Sequence, residues 1–270
     1  GTDRDVDITN LQALEEFAAG KNISWIINCA AYTAVDKAED EPELARLLNA
    51  AGPENIARTA KKIGAKLVHL STDYVFDGKG TMPYPVNTER NPKSVYGRTK
   101  AEGEKAIEAV LPDAHYIIRT AWLYGCNGPN FVYTMIKLMN TKESLNVVND
   151  QKGCPTNAQD LASAVITLIT KENSVPLSVP AGLYHYCNEG QITWYEFALA
   201  IQKKAAEKGL ITNSCTVHPC TSAEFKSKAV RPQYSVMDLT KTKEILGIVI
   251  PSWEESLNEF LSHKDLLRLS

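Results

Sequence analysis

Two groups of polar residues near the middle of the chain have types and spacings that suit proton transfer. Thr72 and Asp73 lie just after the short apolar segment 66–70, and Tyr96 and Lys100 stand four residues apart where a helix-like segment begins. The apolar segment is partly β-branched, as a buried parallel strand would be. A hydroxyl at a strand end, with a tyrosine and a lysine at a helix start, could move a proton to or from a substrate oxygen.

The Tyr-x-x-x-Lys spacing is weak evidence by itself. The chain has 11 tyrosines, and with lysine at roughly one residue in 13 about one such match is expected by chance. A second copy, Tyr133 and Lys137, does occur inside the helix-like run 130–140. Strand-terminal hydroxyl and carboxyl residues precede Tyr96 but not Tyr133, so we predict that Tyr96 and Lys100 are the functional pair.

A tyrosine needs help to act as an acid or base near neutral pH, because its pKa is ordinarily about 10. A lysine ammonium one helical turn away favours the phenolate, and the four-residue spacing puts both side chains on one helix face. Thr72 can hydrogen-bond the substrate oxygen whose charge changes during the reaction. The alternative, a surface Tyr–Lys pair on a first helical turn, leaves Thr72 and Asp73 unexplained.

Short apolar strands and helices alternate around these residues. We predict strands over 24–31 and 116–125 in addition to 66–70, and helices over 35–48 and 101–111. This alternation is typical of an α/β fold with a Rossmann-like, doubly wound parallel sheet.

The carboxyl ends of the predicted strands carry small, polar or aromatic residues. Ala30, Ala31 and Tyr32 end the first strand, Thr72 ends the second, and Trp122 lies near the end of the third. Ligands of doubly wound sheets bind at this edge. The sequence therefore predicts one coherent binding site there.

The alternation loosens beyond about residue 145. A turn-rich loop covers 147–156, and helices are predicted over 160–169, 193–208, 239–246 and 252–261, with Thr193 and Ser252 as N-caps. We predict a first domain over 1–145 and a smaller substrate-binding lobe over 146–270, some segments of which return to the first domain.

Composition argues against several classes of function. A net charge of -3 gives no basic field for nucleic acid. We find no apolar run of membrane-spanning length and no signal-peptide pattern, and so expect a cytoplasmic protein. The six cysteines lack metal-ligand spacing, so no metal is predicted, and Cys29 and Cys187 are expected to be buried free thiols.

Several blocks in a fixed order make the chain similar to a known family. The chain resembles the extended short-chain dehydrogenase/reductases over nearly its whole length. The blocks are Asn28-Cys29-Ala30-Ala31-Tyr32-Thr33-Ala34-Val35-Asp36, Asn49-x-x-Gly52-x-x-Asn55, Ser71-Thr72-Asp73-Tyr74-Val75-Phe76-Asp77-Gly78, Tyr96-Gly97-x-x-Lys100, Arg119-Thr120-x-Trp122-Leu123-Tyr124-Gly125, Asn130-Phe131, Asp150-Gln151-x-Gly153-x-Pro155-Thr156 and Arg231-Pro232-x-Tyr234-Ser235.

The resemblance implies a reaction. The first domain would bind NADPH or NADH, and the C4 keto group of dTDP-4-dehydro-β-L-rhamnose would be reduced to give dTDP-L-rhamnose. Tyr96 would be the general acid that protonates the C4 oxygen. Lys100 would tune Tyr96 and bind the nicotinamide ribose, and Thr72 would hydrogen-bond the keto oxygen.

The resemblance also implies binding residues. For Asp7 and Asn49, a loop-tying or capping side chain explains the residue as well as ligand contact does. The cofactor would lie along Asp7, Ile8, Ala30, Ala31, Tyr32 and Thr33, with Tyr96 and Lys100. The dTDP-sugar would contact Thr72, Asp73 and Trp122, and Asn130 and Arg231 could serve its diphosphate.

Residue chemistry separates the reactions that this family performs. A nucleotide-sugar 4,6-dehydratase carries Thr-Asp-Glu at the strand end, whereas this chain has Tyr74 in the place of the glutamate. Reduction at C4 needs a hydride and one proton, for which the residues present suffice. The alternatives are another nucleotide-sugar reductase or epimerase, or a non-catalytic relative that acts as a regulatory or binding subunit. We expect a monomer or homodimer.

The start of the chain departs from the family pattern. Relatives open with a strand, a Gly-x-x-Gly-x-x-Gly turn and a helix that seat the cofactor pyrophosphate, and this sequence has no such glycine cluster. Either a segment of roughly 30 residues precedes Gly1 in the complete protein, which we expect, or the chain is a degenerate member of the family that binds the cofactor poorly. That segment would also carry the residues that decide between NADH and NADPH.

Overall fold

Strands and helices alternate through residues 5–262, which the computed structural model describes. The strands are β1 (Trp25–Asn28), β2 (Lys66–Thr72), β3 (His115–Thr120), β4 (Leu123–Tyr124), β5 (Ser144–Val148), β6 (Lys152–Gly153), β7 (Thr156–Asn157), β8 (Gly182–His185), β9 (Ile192–Thr193) and β10 (Thr216–Cys220). The helices are α1 (Leu11–Ala18), α2 (Val35–Ala38), α3 (Pro42–Arg46), α4 (Gly52–Ile63), α5 (Val95–Val110), α6 (Phe131–Thr141), α7 (Ala158–Ser174), α8 (Trp194–Glu207), α9 (Ser222–Phe225), α10 (Thr240–Leu246) and α11 (Trp253–Phe260).

Four parallel strands form the central sheet in the order β1-β2-β3-β8. Lys66 pairs with Trp25, and Leu67 with His115. Because the strands are parallel and helices connect them, their carboxyl ends meet at one edge. The predicted α/β fold with a Rossmann-like parallel sheet is confirmed.

Side chains of neighbouring strand residues enter different cores, as the two-residue repeat of a strand requires. Leu67 and Ile117 pack with α1, α4 and α5 on one face. Val68, Tyr116 and Ile118 pack with α7 and α10 on the other. All six residues of β3 are buried, so the strands nearest the predicted catalytic residues are held from both sides.

The first region departs from the predicted elements at two places. The predicted helix over 35–48 is broken into α2 and α3, because Pro42 has no amide hydrogen and begins a new helix at its first position. A π-helical turn over 47–51 then joins α3 to α4. The predicted strand over 116–125 is interrupted at Trp122, whose φ of 47° lies in the left-handed region.

The two predicted buried thiols have different outcomes. Cys187 is fully buried, as predicted, but Cys29 is exposed, so its predicted burial is wrong. The strand β1 ends at Asn28, one residue earlier than Cys29. Cys29 therefore lies at the open carboxyl edge of the sheet rather than inside it.

A second core joins α6 to elements that follow residue 145. Residues of α6, α8, β5, β10 and α11 form it, and Thr193 and Ser252 cap α8 and α11 as predicted, each with a capping box. Strand β8 pairs with β3 in the central sheet, and α7 and α10 pack against that sheet. The boundary between residues 145 and 146 stays a prediction. In the described part of the chain, no helix combines the length and apolarity needed to cross a membrane.

Candidate active site

The end of β2 and the start of α5 are built so that Thr72 and Tyr96 meet. Thr72 ends β2 and caps a short 3-10 turn, accepting the Tyr74 amide hydrogen at 3.2 Å. Ser94 caps α5 by accepting the Gly97 amide hydrogen at 3.1 Å, so the helix begins before the predicted residue 101. A Cβ at Gly97 would lie 2.3 Å from the Tyr74 carbonyl oxygen, so glycine there lets α5 approach.

The Tyr96 phenol lies beside the Thr72 hydroxyl, whose own hydrogen is donated to Asp73 Oδ1. Burial raises the pKa of Tyr96 to about 12, while the neighbouring Thr72 hydroxyl lowers it and the Asp73 carboxyl raises it. The expectation that Lys100 lowers this pKa is not met, because the Lys100 amine is directed elsewhere. At neutral pH Tyr96 therefore keeps its proton, which suits a general acid.

Lys100 is almost fully buried, at 2% exposure, one turn after Tyr96. Its Nζ donates to the Leu70 carbonyl oxygen at 2.7 Å and lies 3.3 Å from His69 Nε2. Burial lowers the pKa of Lys100 to about 8, against the opposing effects of Glu104 and Cys29. The Lys100 amine therefore lies between the ends of β1 and β2.

Asp73 is a buried carboxyl with an unused oxygen. Its Oδ1 accepts the Thr72 hydroxyl hydrogen at 2.9 Å, and Oδ2 has no hydrogen-bond partner within the described residues. Burial raises the pKa of Asp73 to about 6, and the neighbouring Ser235 and Thr72 hydroxyls oppose that shift. An unpartnered buried oxygen beside Thr72 is suited to receive a ligand hydroxyl.

A buried ionic cluster lies behind these residues. Glu104, one turn after Lys100, accepts from Arg119 Nε at 3.0 Å and Nη2 at 2.7 Å, and both side chains are fully buried. Arg90 and the Ser71 hydroxyl each donate to Glu104 at 2.5 Å. Arg119 holds the pKa of the buried Glu104 carboxyl below its usual value. The cluster therefore ties α5 to β2 and β3 directly behind Thr72.

Trp122 projects from the interrupted edge of β3 and stacks on another indole. The Trp122 and Trp194 ring centroids are 3.5 Å apart with planes 10° from parallel. A Cβ at Gly153 would lie 2.7 Å from Trp122, so glycine makes room for the ring. Trp194 is an aromatic residue of this edge that the sequence reasoning did not single out.

The end of β1 offers small, open residues beside Lys100. Ala30 and Thr33 are exposed, while Ala31 and Tyr32 are half-buried. The Asn49 amide ties the loop, accepting the Tyr32 amide hydrogen at 2.8 Å and donating to the Tyr32 carbonyl oxygen at 3.1 Å. A flat ring and a ribose fit an edge of small side chains with one buried amine, so these residues suit the nicotinamide half of a dinucleotide.

The remaining predicted binding residues have structural partners. Asp7 accepts from the Thr9 amide and hydroxyl at 2.8 Å each, and Ile8 packs against Gly52. Asn130 caps α6 by accepting the Tyr133 amide hydrogen at 3.1 Å. The cofactor role of Asp7 and Ile8 and the diphosphate role of Asn130 stay predictions.

Arg231 is anchored at the entrance to the site. It donates to Asp36 Oδ2 at 2.6 Å, and it lies beside Tyr74, whose ring meets the Tyr96 ring edge-on with the ring centroids 5.4 Å apart. Its Nε is buried and lacks a partner among residues 5–262. One guanidinium N–H group thus remains available to a ligand oxygen.

Two features of the site escaped the sequence reasoning. Asn28 and His69 are buried beneath Lys100, and Glu104 pairs with Arg119. An arginine inside an otherwise apolar strand was an available signal, since a buried charge requires a partner. Among the described residues, no group of three or more His, Cys, Asp or Glu side chains could hold a metal ion.

A separate cavity lies at the opposite end of the sheet. It has a volume of about 410 Å³ and is lined by Lys21, Trp25, Lys66 and neighbouring residues at the amino ends of β1 and β2. It contains none of the predicted catalytic residues.

The chain is similar to a known family and to named proteins over nearly its whole length. The family described as the RmlD substrate binding domain matches residues 1–266. The dTDP-4-dehydrorhamnose reductase of Streptomyces griseus is 41% identical over 94% of this chain and 81% of its own length.

Solved structures agree with that similarity. A crystal structure of a dTDP-4-dehydrorhamnose reductase from Clostridium acetobutylicum has a TM-score of 0.88 and 43% identity, covering 98% of this chain and 89% of that one. The Bacillus anthracis dTDP-4-dehydrorhamnose reductase, solved in complex with NADP, has a TM-score of 0.87 and 38% identity, covering 96% and 88% of the two chains.

Proposed function

The chain belongs to the RmlD substrate-binding-domain family, and we propose that it catalyses the NAD(P)H-dependent reduction of dTDP-4-dehydro-β-L-rhamnose at C4, giving dTDP-L-rhamnose. Similarity to dTDP-4-dehydrorhamnose reductases over nearly the whole chain supports this proposal. The single observation that carries it is a protonated Tyr96 phenol beside Thr72 at the carboxyl end of β2.

Tyr96 is the general acid in this proposal. Its pKa of about 12 keeps the phenol protonated until negative charge develops on the C4 oxygen. The Thr72 hydroxyl turns its hydrogen from Asp73 Oδ1 to that oxygen and so stabilises the same charge. When the phenol gives up its proton, Tyr96 becomes a phenolate and the sugar becomes an alcohol.

NADPH or NADH, when bound, supplies the hydride. Ala30, Ala31, Tyr32 and Thr33 line its path, and Lys100 binds the nicotinamide ribose. Asp7 and Ile8 lie toward the adenine end. The NADP complex of the Bacillus anthracis relative supports a nicotinamide cofactor.

The sugar nucleotide is held by residues around Thr72. Asp73 offers its unpartnered Oδ2 to a sugar hydroxyl, and Trp122 contacts the substrate from the edge of β3. Arg231 and Asn130 serve the diphosphate, which a guanidinium suits well.

The same residues argue against the alternative functions, a dehydratase and a regulatory subunit. A dehydratase needs a carboxyl where Tyr74 stands, and Tyr74 has a pKa raised far above 10 by burial, so it does not replace a carboxylate base. The regulatory-subunit alternative gives no reason for Thr72, Tyr96 and Lys100 to converge. We further propose that the enzyme works in the cytoplasm as a monomer or homodimer.

A turnover assay tests the proposal. Purified protein should oxidise NADPH or NADH only when dTDP-4-dehydro-L-rhamnose is present, and dTDP-L-rhamnose should accumulate in equal amount. A folded protein that binds the cofactor but gives no sugar product would overturn the enzymatic proposal in favour of a binding role. UDP- and GDP-linked 4-keto sugars in the same assay determine the nucleotide preference.

A further inference from the structure

His69 is a buried imidazole that the proposed mechanism does not use. It lies on β2, is fully buried, and contacts polar side chains through both ring nitrogens. Its Nδ1 is 2.9 Å from Asn28 Nδ2, and its Nε2 is 3.3 Å from Lys100 Nζ. The three side chains form a continuous line from β1 to α5.

The orientation of Asn28 determines which imidazole nitrogen carries the proton. Asn28 Oδ1 accepts the amide hydrogen of Ala30 at 3.0 Å, so the amide nitrogen of Asn28 faces His69. That nitrogen can only donate, so His69 Nδ1 must accept. Burial and Lys100 hold the pKa of His69 well below its usual value. The neutral ring therefore carries its hydrogen on Nε2, directed at Lys100.

An ammonium group has three donors and no acceptor, whereas an uncharged amine has a lone pair. The Nε2–H group of His69 can therefore hydrogen-bond Lys100 only when the amine is uncharged. We propose that Asn28 and His69 are positioning residues for Lys100: the amide fixes the imidazole tautomer, and the imidazole favours the uncharged form of the lysine.

The other groups around Lys100 either favour or oppose the charged form of its amine. Glu104 on α5 and Cys29 at the end of β1 favour the charged amine, as does the Leu70 carbonyl oxygen that it contacts. Burial and His69 oppose them. The balance of these effects determines how much of Lys100 is charged near neutral pH, and so the charge that it presents to the nicotinamide ribose. This consequence rests on the proposed function, but the tautomer and the titration do not.

The tautomer can be read in the unmodified protein by long-range ¹H–¹⁵N spectroscopy of the imidazoles. His69 should show a protonated Nε2 and an unprotonated Nδ1. His115 provides a contrast within the same spectrum, because its Nδ1 lies 2.7 Å from the Leu111 carbonyl oxygen and must donate. A protonated Nδ1 on His69 would overturn the proposal.

The effect on Lys100 is measured by NMR titration of its side-chain ¹³Cε signal, assigned with Lys100→Met. Asn28→Asp should place the His69 proton on Nδ1 and leave Nε2 to accept from the ammonium, raising the Lys100 midpoint by about one pH unit or more. Asn173→Asp introduces the same charge at the opposite end of the sheet, at an amide that accepts from Trp25, and should leave the midpoint unchanged.

If Asn28→Asp moves the His69 proton to Nδ1 but leaves the titration midpoint of Lys100 unchanged, the proposed coupling between His69 and Lys100 is contradicted. If Asn28→Asp does not fold, the unmodified protein still decides: its Lys100 midpoint should lie at least about one unit below those of exposed lysines, and an ordinary midpoint overturns the proposal. None of these signals requires turnover, so they remain informative if the protein fails the reductase assay.

Discussion

The two Tyr-x-x-x-Lys pairs of this chain have the same spacing and similar positions in their helices, but different surroundings. Tyr96 follows the Ser94 cap of α5, and Tyr133 follows the Asn130 cap of α6. Tyr96 meets Thr72, and Lys100 is buried. The Tyr133 hydroxyl donates to the Cys126 carbonyl oxygen at 3.2 Å, and Lys137 is exposed.

The difference shows what the motif requires beyond its spacing. A helix start aligns the tyrosine and the lysine in both places, but α5 packs against β2 and β3 of the central sheet, whereas α6 packs against β5 and α8. Gly97 permits that approach, and the pair of Glu104 and Arg119 holds α5 against β2 and β3. Chemistry at Tyr96 therefore depends on packing that the second pair lacks.

The largest expected effect on stability comes from breaking the ionic support behind the first pair. Glu104→Gln should lower the free energy of unfolding by about 3–5 kcal/mol, because it leaves the fully buried Arg119 without its counter-charge. Glu54→Gln removes the exposed partner of Arg58 and should cost less than about 1 kcal/mol. Urea unfolding measures the free energy of unfolding of both variants, and equal losses in the two would refute the expected difference.

The two lysines should differ in their effect on turnover. Lys100→Met should lower kcat/KM about 100-fold, as expected when a preorganised donor is lost from a site. Lys137→Met should leave kcat/KM unchanged, since Lys137 is exposed on α6. Steady-state oxidation of NADPH compares the two variants, and comparable losses in kcat/KM would mean that the different surroundings of the two pairs do not distinguish them.

The Asp73 carboxyl gives the first site a pH dependence of stability. Because its pKa is raised to about 6 in the folded chain, above the usual value near 4, its protonated form is the stabilising one. That contribution is complete below about pH 4 and is lost as the pH rises through about 6.

Asp73→Asn removes this dependence. The variant should be more stable than the unmodified protein at pH 7.5, by up to about 2 kcal/mol, and the advantage should vanish near pH 4.5. Denaturant unfolding at the two pH values tests this, and an advantage that is the same at both would contradict the assignment.

The smallest effect is expected at the cap of the second pair. Asn130→Ala should lower stability by about 1 kcal/mol through loss of the α6 cap, whereas Asn130→Ser should keep most of it. If Asn130 also binds the diphosphate, both variants should raise KM for the sugar nucleotide. An unchanged KM in Asn130→Ser would leave Asn130 with a capping role alone.

Local patterns in the sequence were enough to predict much of the fold. Strand β2, the helix that carries Tyr96, and the Thr193 and Ser252 caps each follow from apolar runs and capping residues that act over a few positions. The two places where the structure departs from the predicted elements, Pro42 and Trp122, also have local causes. Proline marks a break in a helix in the sequence itself, whereas no residue type in the sequence indicates that Trp122 adopts a left-handed backbone.

The site was predictable at Thr72, Tyr96 and Lys100, where motif and strand end coincide. Its support was not, because the contacts of Glu104 with Arg119 and of His69 with Asn28 join residues distant in the chain. The direction of the Lys100 amine was also missed, since four-residue spacing fixes a helix face but not the rotamer. The burial of Cys29 was misjudged because the end of a strand is the least certain part of a sequence pattern.

The central claim is that Tyr96, rather than Tyr133, delivers the proton to the C4 oxygen. The most direct measurement compares kcat for Tyr96→Phe and Tyr133→Phe with dTDP-4-dehydro-L-rhamnose and NADPH, after cofactor binding confirms that both are folded. Tyr96→Phe should lose about 10²- to 10⁴-fold in kcat, and Tyr133→Phe should match the unmodified protein. Turnover by Tyr96→Phe at the unmodified rate would contradict the assignment.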